Sequence, residues 1–138
     1  MFDEPLIPVS EVTTRAIRVQ VRPVFLDGQS NPLEARFLWA YDIQIENQGP
    51  ETVQLLNRKW EVINAKGQVQ HIEGVGVIGE QPVLSPGTRF RYQSGVPLAT
   101  PSGLMQGDYE MENERGERFW VKVPPFSLDS PYETQRSH

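Results

Sequence analysis

Gly74-Val75-Gly76-Val77-Ile78-Gly79 is the stretch whose residue types and spacing point most directly to chemistry. The spacing G-x-G-x-x-G is that of loops in which glycines let backbone N–H groups close on a pyrophosphate. A dinucleotide site of this kind needs a strand before the glycines, a helix after them and an acidic residue about 20 positions further on for the ribose. The strand is there, but Pro82, Pro86 and Gly87 prevent a helix of useful length. Ser94 to Leu104, where the acid should fall, contains no Asp or Glu. No Gly-Lys-Ser/Thr follows, which excludes a P-loop. Two readings remain. The glycines permit a bulge and close sheet packing, or the amides of Gly74, Gly76 and Gly79 cradle a small phosphate-like anion with Arg89 and Arg91 supplying charge from the next strand.

Other constellations are sparser. His71 and Glu73 stand two apart on an expected strand, share a face, and with Glu80 would offer one imidazole and two carboxylates to a divalent ion such as cobalt or magnesium. The same pair reads equally as a solvated strand face. Nucleophilic catalysis would have to use His71, since the other histidine, His138, is in the C-terminal segment, and no G-x-S-x-G elbow exists. Glu110 with Glu112, and Glu114 with Glu117, need no explanation beyond solubility. Trp120 alternates with Phe119 and Val121, so it faces outward between Arg118 and Lys122, as a partner contact or under a covering side chain.

Composition narrows the classes. A chain of 138 residues fits one domain with its own core. The absence of cysteine excludes disulfides, thiolate metal sites and thiol nucleophiles. A formal net charge of -5 opposes binding to nucleic acid or anionic membranes, which depends on Lys and Arg neutralising phosphates. Met1-Phe2-Asp3-Glu4-Pro5 shows neither a basic n-region nor an apolar h-region, and no run of about 18 apolar residues occurs anywhere. A soluble cytoplasmic protein without a cofactor is the expectation.

The positioning elements read as strands. Residues 1–12 have no period and are expected to be a loose lead-in. Ile17, Val19 and Val21 alternate with Arg18 and Gln20 in a first strand over 13–21, and Pro23 beyond it demands an edge or bulge. Phe37, Trp39, Tyr41, Ile43 and Ile45 mark a second strand, with Asp42, Gln44 and Glu46 on the polar face. The third strand runs from Val53 past Trp60 and Val62, with a slip of phase near Leu56 and Asn57 that predicts a bulge. Asn64-Ala65-Lys66-Gly67 makes a hairpin to a fourth strand at 69–72. Phe90 and Tyr92 point inward from a fifth strand, Arg89 and Arg91 outward. Residues 94–107 are expected to form a long loop that crosses between sheets, and such loops often carry function. Tyr109 and Met111 define a sixth strand, and Phe119, Val121 and Val123 a seventh that ends at Pro124-Pro125. The polar segment 129–138 is expected to be a disordered tail beyond a domain of residues 1–128. Seven short alternating strands predict two antiparallel sheets packed face to face, an immunoglobulin- or fibronectin-type-III-like sandwich, with a barrel as the alternative.

From Glu73 to Met111 the sequence resembles the ApaG family, also called CorD. The residues that carry the likeness are Gly74 through Gly87, then Phe90-x-Tyr92-x-Ser94-Gly95, and Leu98-x-Thr100-Pro101-x-Gly103-x-Met105-x-Gly107-x-Tyr109-x-Met111. Arg58-Lys59-Trp60 before this run, and Phe119 through Pro124-Pro125-Phe126 after it, extend it. The resemblance implies a fibronectin-type-III-like sandwich with no established enzymatic activity, a genetic association with cobalt and magnesium tolerance, and kinship to domains in eukaryotic F-box proteins and a polymerase-delta-interacting protein. It assigns no catalytic or metal-binding residues. The combined expectation is a non-enzymatic module whose partner is another protein. Its contact surface would be the loop from Gly74 to Pro82, with Glu80 and Gln81, together with the 94–107 loop and Trp120. The alternative is a phosphate, nucleotide or divalent-metal binder at Gly74 to Gly79.

Overall fold

The computed structural model describes Leu6 and residues 10–132. Nine strands occur among them, two more than the sequence pattern predicts: β1 (Ser10–Thr14), β2 (Ile17–Phe25), β3 (Phe37–Asn47), β4 (Val53–Asn64), β5 (Val69–Val75), β6 (Val83–Leu84), β7 (Arg89–Leu98), β8 (Gly103–Asn113) and β9 (Arg118–Leu128). They form two antiparallel sheets, one in the order β1-β2-β3-β7 and one in the order β5-β4-β8-β9 with β6 also on β4. The expected sandwich is the observed fold. No helix among the described residues is long and apolar enough to cross a membrane.

The extra strand β1 has a physical cause that no glycine announces. The expected strand 13–21 is broken at Arg15 and Ala16, whose φ angles of 49° and 67° turn β1 back on β2. L-residues adopt that region reluctantly, and a tertiary clamp holds it. Arg15 donates from both Nη atoms to the Glu117 carboxylate at 3.1 Å and lies 4.2 Å above the Phe119 ring. Ser10 to Val12, expected in the lead-in, belong to β1, and Leu6 is buried. Pro23 pairs with Tyr41 beyond Val21, where the described pairing with β1 stops, so its missing N–H costs no ladder bond on that side.

Between the sheets lies one core. Trp39, Tyr41, Ile43 and Ile45 of β3 face Leu55, Trp60, Met105, Tyr109 and Val121, each worth about 1.5–3 kcal/mol when buried. Tyr41 and Trp60 meet edge to face at 5.6 Å across the sheets, and Trp60 meets Tyr109 at 6.0 Å. The polar face of β3 is not solvated as its pattern suggests. Gln44 donates to Gln20 and Gln20 to Glu11, a chain that lets Gln20 and Gln44 be buried.

Three further expectations are corrected. Residues 94–107 are not one long loop: 94–98 continue β7 and 103–107 begin β8, which leaves 99–102 as the crossing between sheets. Pro124-Pro125 does not end β9. Met105 pairs with Phe126 and Gly107 with Val123, so the prolines fall in a bulge opposite Gln106 on a terminal strand, where no ladder donors are required. The segment beyond β9 is docked as far as Tyr132, which packs on Phe25 and Phe37 while the Trp39 indole donates to the Asp129 carbonyl at 2.8 Å. Residues 133–138 lie outside the described part.

Candidate functional site

The predicted bulge in β4 is present: Leu55 pairs with Met111 and Asn57 with Glu110, which leaves Leu56 as the extra residue. It does two things for the site. The slip of phase sends Arg58, Trp60 and Val62 toward the core and Lys59 and Glu61 to the outer face. The Leu56 carbonyl also accepts from the Gly76 amide at 2.8 Å and from Gln81 Nε2 at 3.0 Å, tying the glycine stretch to the bulge.

That stretch is neither a Rossmann turn nor an open cradle. Gly74 lies in β5 opposite Arg58, whose guanidinium would stand 2.7 Å from a Cβ on Gly74. A Cβ on Gly76, at φ 63°, would meet the Glu80 carbonyl oxygen at 2.1 Å. The backbone therefore requires glycine at 76, whereas a side chain at 74 would displace the Arg58 guanidinium. Val77 and Glu80 exchange backbone hydrogen bonds of 2.8 and 2.9 Å around Ile78 and Gly79, whose φ angles are 43° and 80°. Positive φ at both central positions is the twist-matched two-residue hairpin turn. The amides of Gly76 and Val77 are consumed by Leu56 and Glu80, whereas those of Ile78 and Gly79 bond nothing among the described residues.

Beneath this turn is a cavity of about 190 Å³. Ile78 and Gly79 form its rim, Tyr41, Tyr92 and Ser94 of the four-stranded sheet its far wall, and Arg58 and Trp60 its near wall. Arg58 Nη1 donates to the carbonyls of Gly76 at 2.9 Å and Val75 at 3.2 Å, and no carboxylate pairs with Arg58 among the described residues. Burial pushes the Tyr41 phenol up, opposed by the Ser94 hydroxyl and the Arg58 charge. Burial also holds Tyr92 and Tyr109 well above the usual tyrosine range, and their hydroxyls hydrogen-bond each other at 2.5 Å. The wall is thus one cation among neutral hydroxyls.

The other face of β4 is arranged differently. Glu73, Lys59, Asp108 and Lys122 form one row across β5, β4, β8 and β9, so each charge has a neighbour of opposite sign. In the next row Gln106 Nε2 donates to Glu61 at 2.6 Å and His71 Nε2 stands 3.9 Å from the same carboxylate. His71 and Glu73 do share a face, as expected, and help line an open depression of about 490 Å³. Glu80 does not join them, and among the described residues no group of three His, Asp or Glu is placed to hold a metal ion. Trp120 faces outward, 41% exposed, with Lys59 Nζ 4.3 Å above its ring in place of the flanking Arg118 and Lys122.

Arg89 and Arg91 are not at the glycine turn. They pair in register with Glu46 and Gln44, and they alternate with Tyr92, which faces the cavity. They therefore lie on the outer face of the four-stranded sheet, where Arg91 stands 3.7 Å from Asp42. Arg58 takes the place they were expected to fill. The only sequence sign of it was the bulge, which makes its orientation depend on one extra residue. The two stretches meet only in part: Ser94 lines the cavity with Ile78 and Gly79, whereas Thr100 of the 99–102 crossing accepts from Ala65 at the far end of β4 from Leu56, where the glycine turn joins.

Comparison with known proteins now places this arrangement. The ApaG domain pattern matches residues 27–113. The chain is 58% identical to Protein ApaG of Rhodospirillum centenum over 92% of its own length and 97% of that protein's. The chain belongs to the ApaG family. It is also 55% identical to Protein ApaG of Paramagnetospirillum magneticum over 90% of this chain and 95% of that one. The crystal structure of an ApaA protein from Bordetella pertussis superposes with a TM-score of 0.81 at 36% identity, covering 92% of this chain and 98% of that one. The ApaG stretch from Gly74 to Gly87 thus contains both the turn over the cavity and the approach to β7.

Proposed function

We propose that this ApaG protein is a non-enzymatic protein-interaction module whose contact surface is the apolar rim around the glycine turn. One observation carries the reading: Val75 and Val83, 68% and 63% exposed, pair with β4 at Asn57 and Gln54, and Ile78, 54% exposed, lies in the turn between them. Exposed aliphatic side chains grouped this way mark contact sites more often than scattered ones do. Ile78 adds a second cost, because a β-branched residue at φ 43° is strained. Folding gains nothing from either feature, which favours a gain in binding. Trp120 stands in the same cross-sheet row as Val75, at the far end.

Catalysis is the weaker reading. The titratable groups buried beside the cavity are tyrosines held neutral, His71 is exposed on the outer face, and among the described residues no nucleophile with a base beside it accompanies Arg58. A direct role for metal in the cobalt and magnesium association finds no ligand cluster among the described residues. The test is a photo-crosslinking side chain placed at Val83 and, separately, at Leu33, which is 99% exposed on a different part of the surface. Discrete adducts with a defined partner are expected from position 83 and not from position 33. Equal labelling from both would sink the assignment.

A further inference from the structure

We propose that the cavity beneath the glycine turn is a receptor for a phosphate group, with Arg58 as its cation and Tyr41, Ser94 and the Ile78–Gly79 amides as its neutral donors. The inference stands whether or not the rim also docks a protein, and it differs from a glycine cradle, because the amides of Gly76 and Val77 are already used.

Charge favours an anion here. Arg58 is half-buried, its row across the sheet reads Gly74, Arg58, Tyr109, Val121, and none of these neighbours carries a carboxylate. None of the residues lining the cavity is acidic either. A partly desolvated guanidinium without a counter-ion attracts an anion far more strongly than one in bulk water. Nη1 serves the Val75 and Gly76 carbonyls, so Nε and Nη2, which donate to no protein group among the described residues, leave one edge of the planar fork for bidentate binding.

Donor number favours a phosphate over a carboxylate. A carboxylate with two oxygens is satisfied by the fork alone. Here Ile78 and Gly79, whose amides are unbonded among the described residues, share the lining with Tyr41 and Ser94, whose hydroxyls bond each other and leave one proton to donate, which suits a tetrahedral dianion with three acceptor oxygens. Burial keeps the tyrosines neutral, so they add no repulsion. A volume of about 190 Å³ also accommodates a phosphate group with a few waters, at about 30 Å³ of liquid volume per water.

The experiment titrates the full-length, ¹⁵N-labelled protein with inorganic phosphate, pyrophosphate and phosphoserine at constant ionic strength, with acetate as the carboxylate comparator. Saturable shifts are expected at the amides of Ile78, Gly79 and Ser94, with acetate at least about tenfold weaker than the best phosphate compound. Arg58→Gln should weaken binding by tenfold or more, on the order expected for loss of a charged bidentate partner. Because Arg58 also ties two carbonyls, Tyr41→Phe and Ser94→Ala provide variants that leave the turn in place, each expected to weaken binding roughly threefold. Tightest binding of pyrophosphate would identify a phosphoanhydride as the source, tightest binding of phosphoserine a phosphorylated side chain, and either supports the proposal. Shifts that rise without saturating, acetate equal to phosphate, or unchanged affinity in Tyr41→Phe and Ser94→Ala would overturn it.

Discussion

Two consecutive residues of β4 carry cations into opposite settings. Lys59 sits between Glu73 and Asp108 in register and caps the Trp120 ring, while Arg58, one position earlier, sits between Gly74 and Tyr109 with no acid beside it among the described residues. The outer row is self-neutralising and needs no ligand. The inner row is not, and its charge is held in place by two backbone carbonyls that cannot cancel it. Alternating charges on an exposed sheet are thus a surface solution, whereas a lone guanidinium among buried tyrosines is a site. The device that separates the two is the single extra residue at Leu56.

The comparison breaks most violently at the turn. Gly76→Ala would drive a Cβ into the Glu80 carbonyl and force an alanine to φ 63°, so a loss of about 3 kcal/mol or more is expected in urea unfolding. Amide shifts should change around Ile78 and not along the Lys59 row. Next comes the tyrosine pair behind the cavity. Tyr109→Phe leaves the buried Tyr92 hydroxyl without its partner and should cost about 1–3 kcal/mol, while the double change to phenylalanine should recover much of that, because no polar atom then remains unpaired.

How much of this was legible in the sequence varies from residue to residue. Period-2 alternation exposed the core face of β3, and the slip near Leu56 exposed the bulge, because both are local consequences of side-chain direction. Arg58 stayed hidden since its inward orientation follows only once the bulge is counted through to Trp60. Arg89 and Arg91 were misplaced because proximity in sequence to the glycines does not say which sheet a strand joins, and β7 joins the other one. The turns at Arg15-Ala16 and Ile78-Gly79 were unreadable for another reason. Non-glycine residues with positive φ are held there by tertiary contacts, as Arg15 is by Glu117 and Phe119.

Smaller changes sharpen the contrast. Ile78→Asn would place Asn-Gly, the preferred pair for this turn type, at the rim; unfolding midpoints should rise by an equivalent of about 1 kcal/mol while crosslinking to a partner falls. Lys59→Gln on the self-neutralised face should change stability by less than about 0.5 kcal/mol and leave phosphate affinity untouched. The exposed Arg15–Glu117 clamp represents the paired class at its weakest. Arg15 holds the Glu117 carboxyl down to about 2 from the ordinary 4.5, so its stabilisation is complete above pH 4.5 and fades as pH falls toward 2. Comparing acid unfolding of the wild type with that of Arg15→Gln should show a small difference present above pH 4.5 and vanishing toward pH 2.

The unpaired charge at Arg58 is most directly tested by following arginine side-chain Nε–H resonances while inorganic phosphate is added at constant ionic strength. The account predicts a saturable shift of Arg58, with Arg91 and Arg118, which stand beside Asp42 and Glu112, unmoved. An Arg58 signal that stays still, or one that moves no more than those of Arg91 and Arg118, would contradict it.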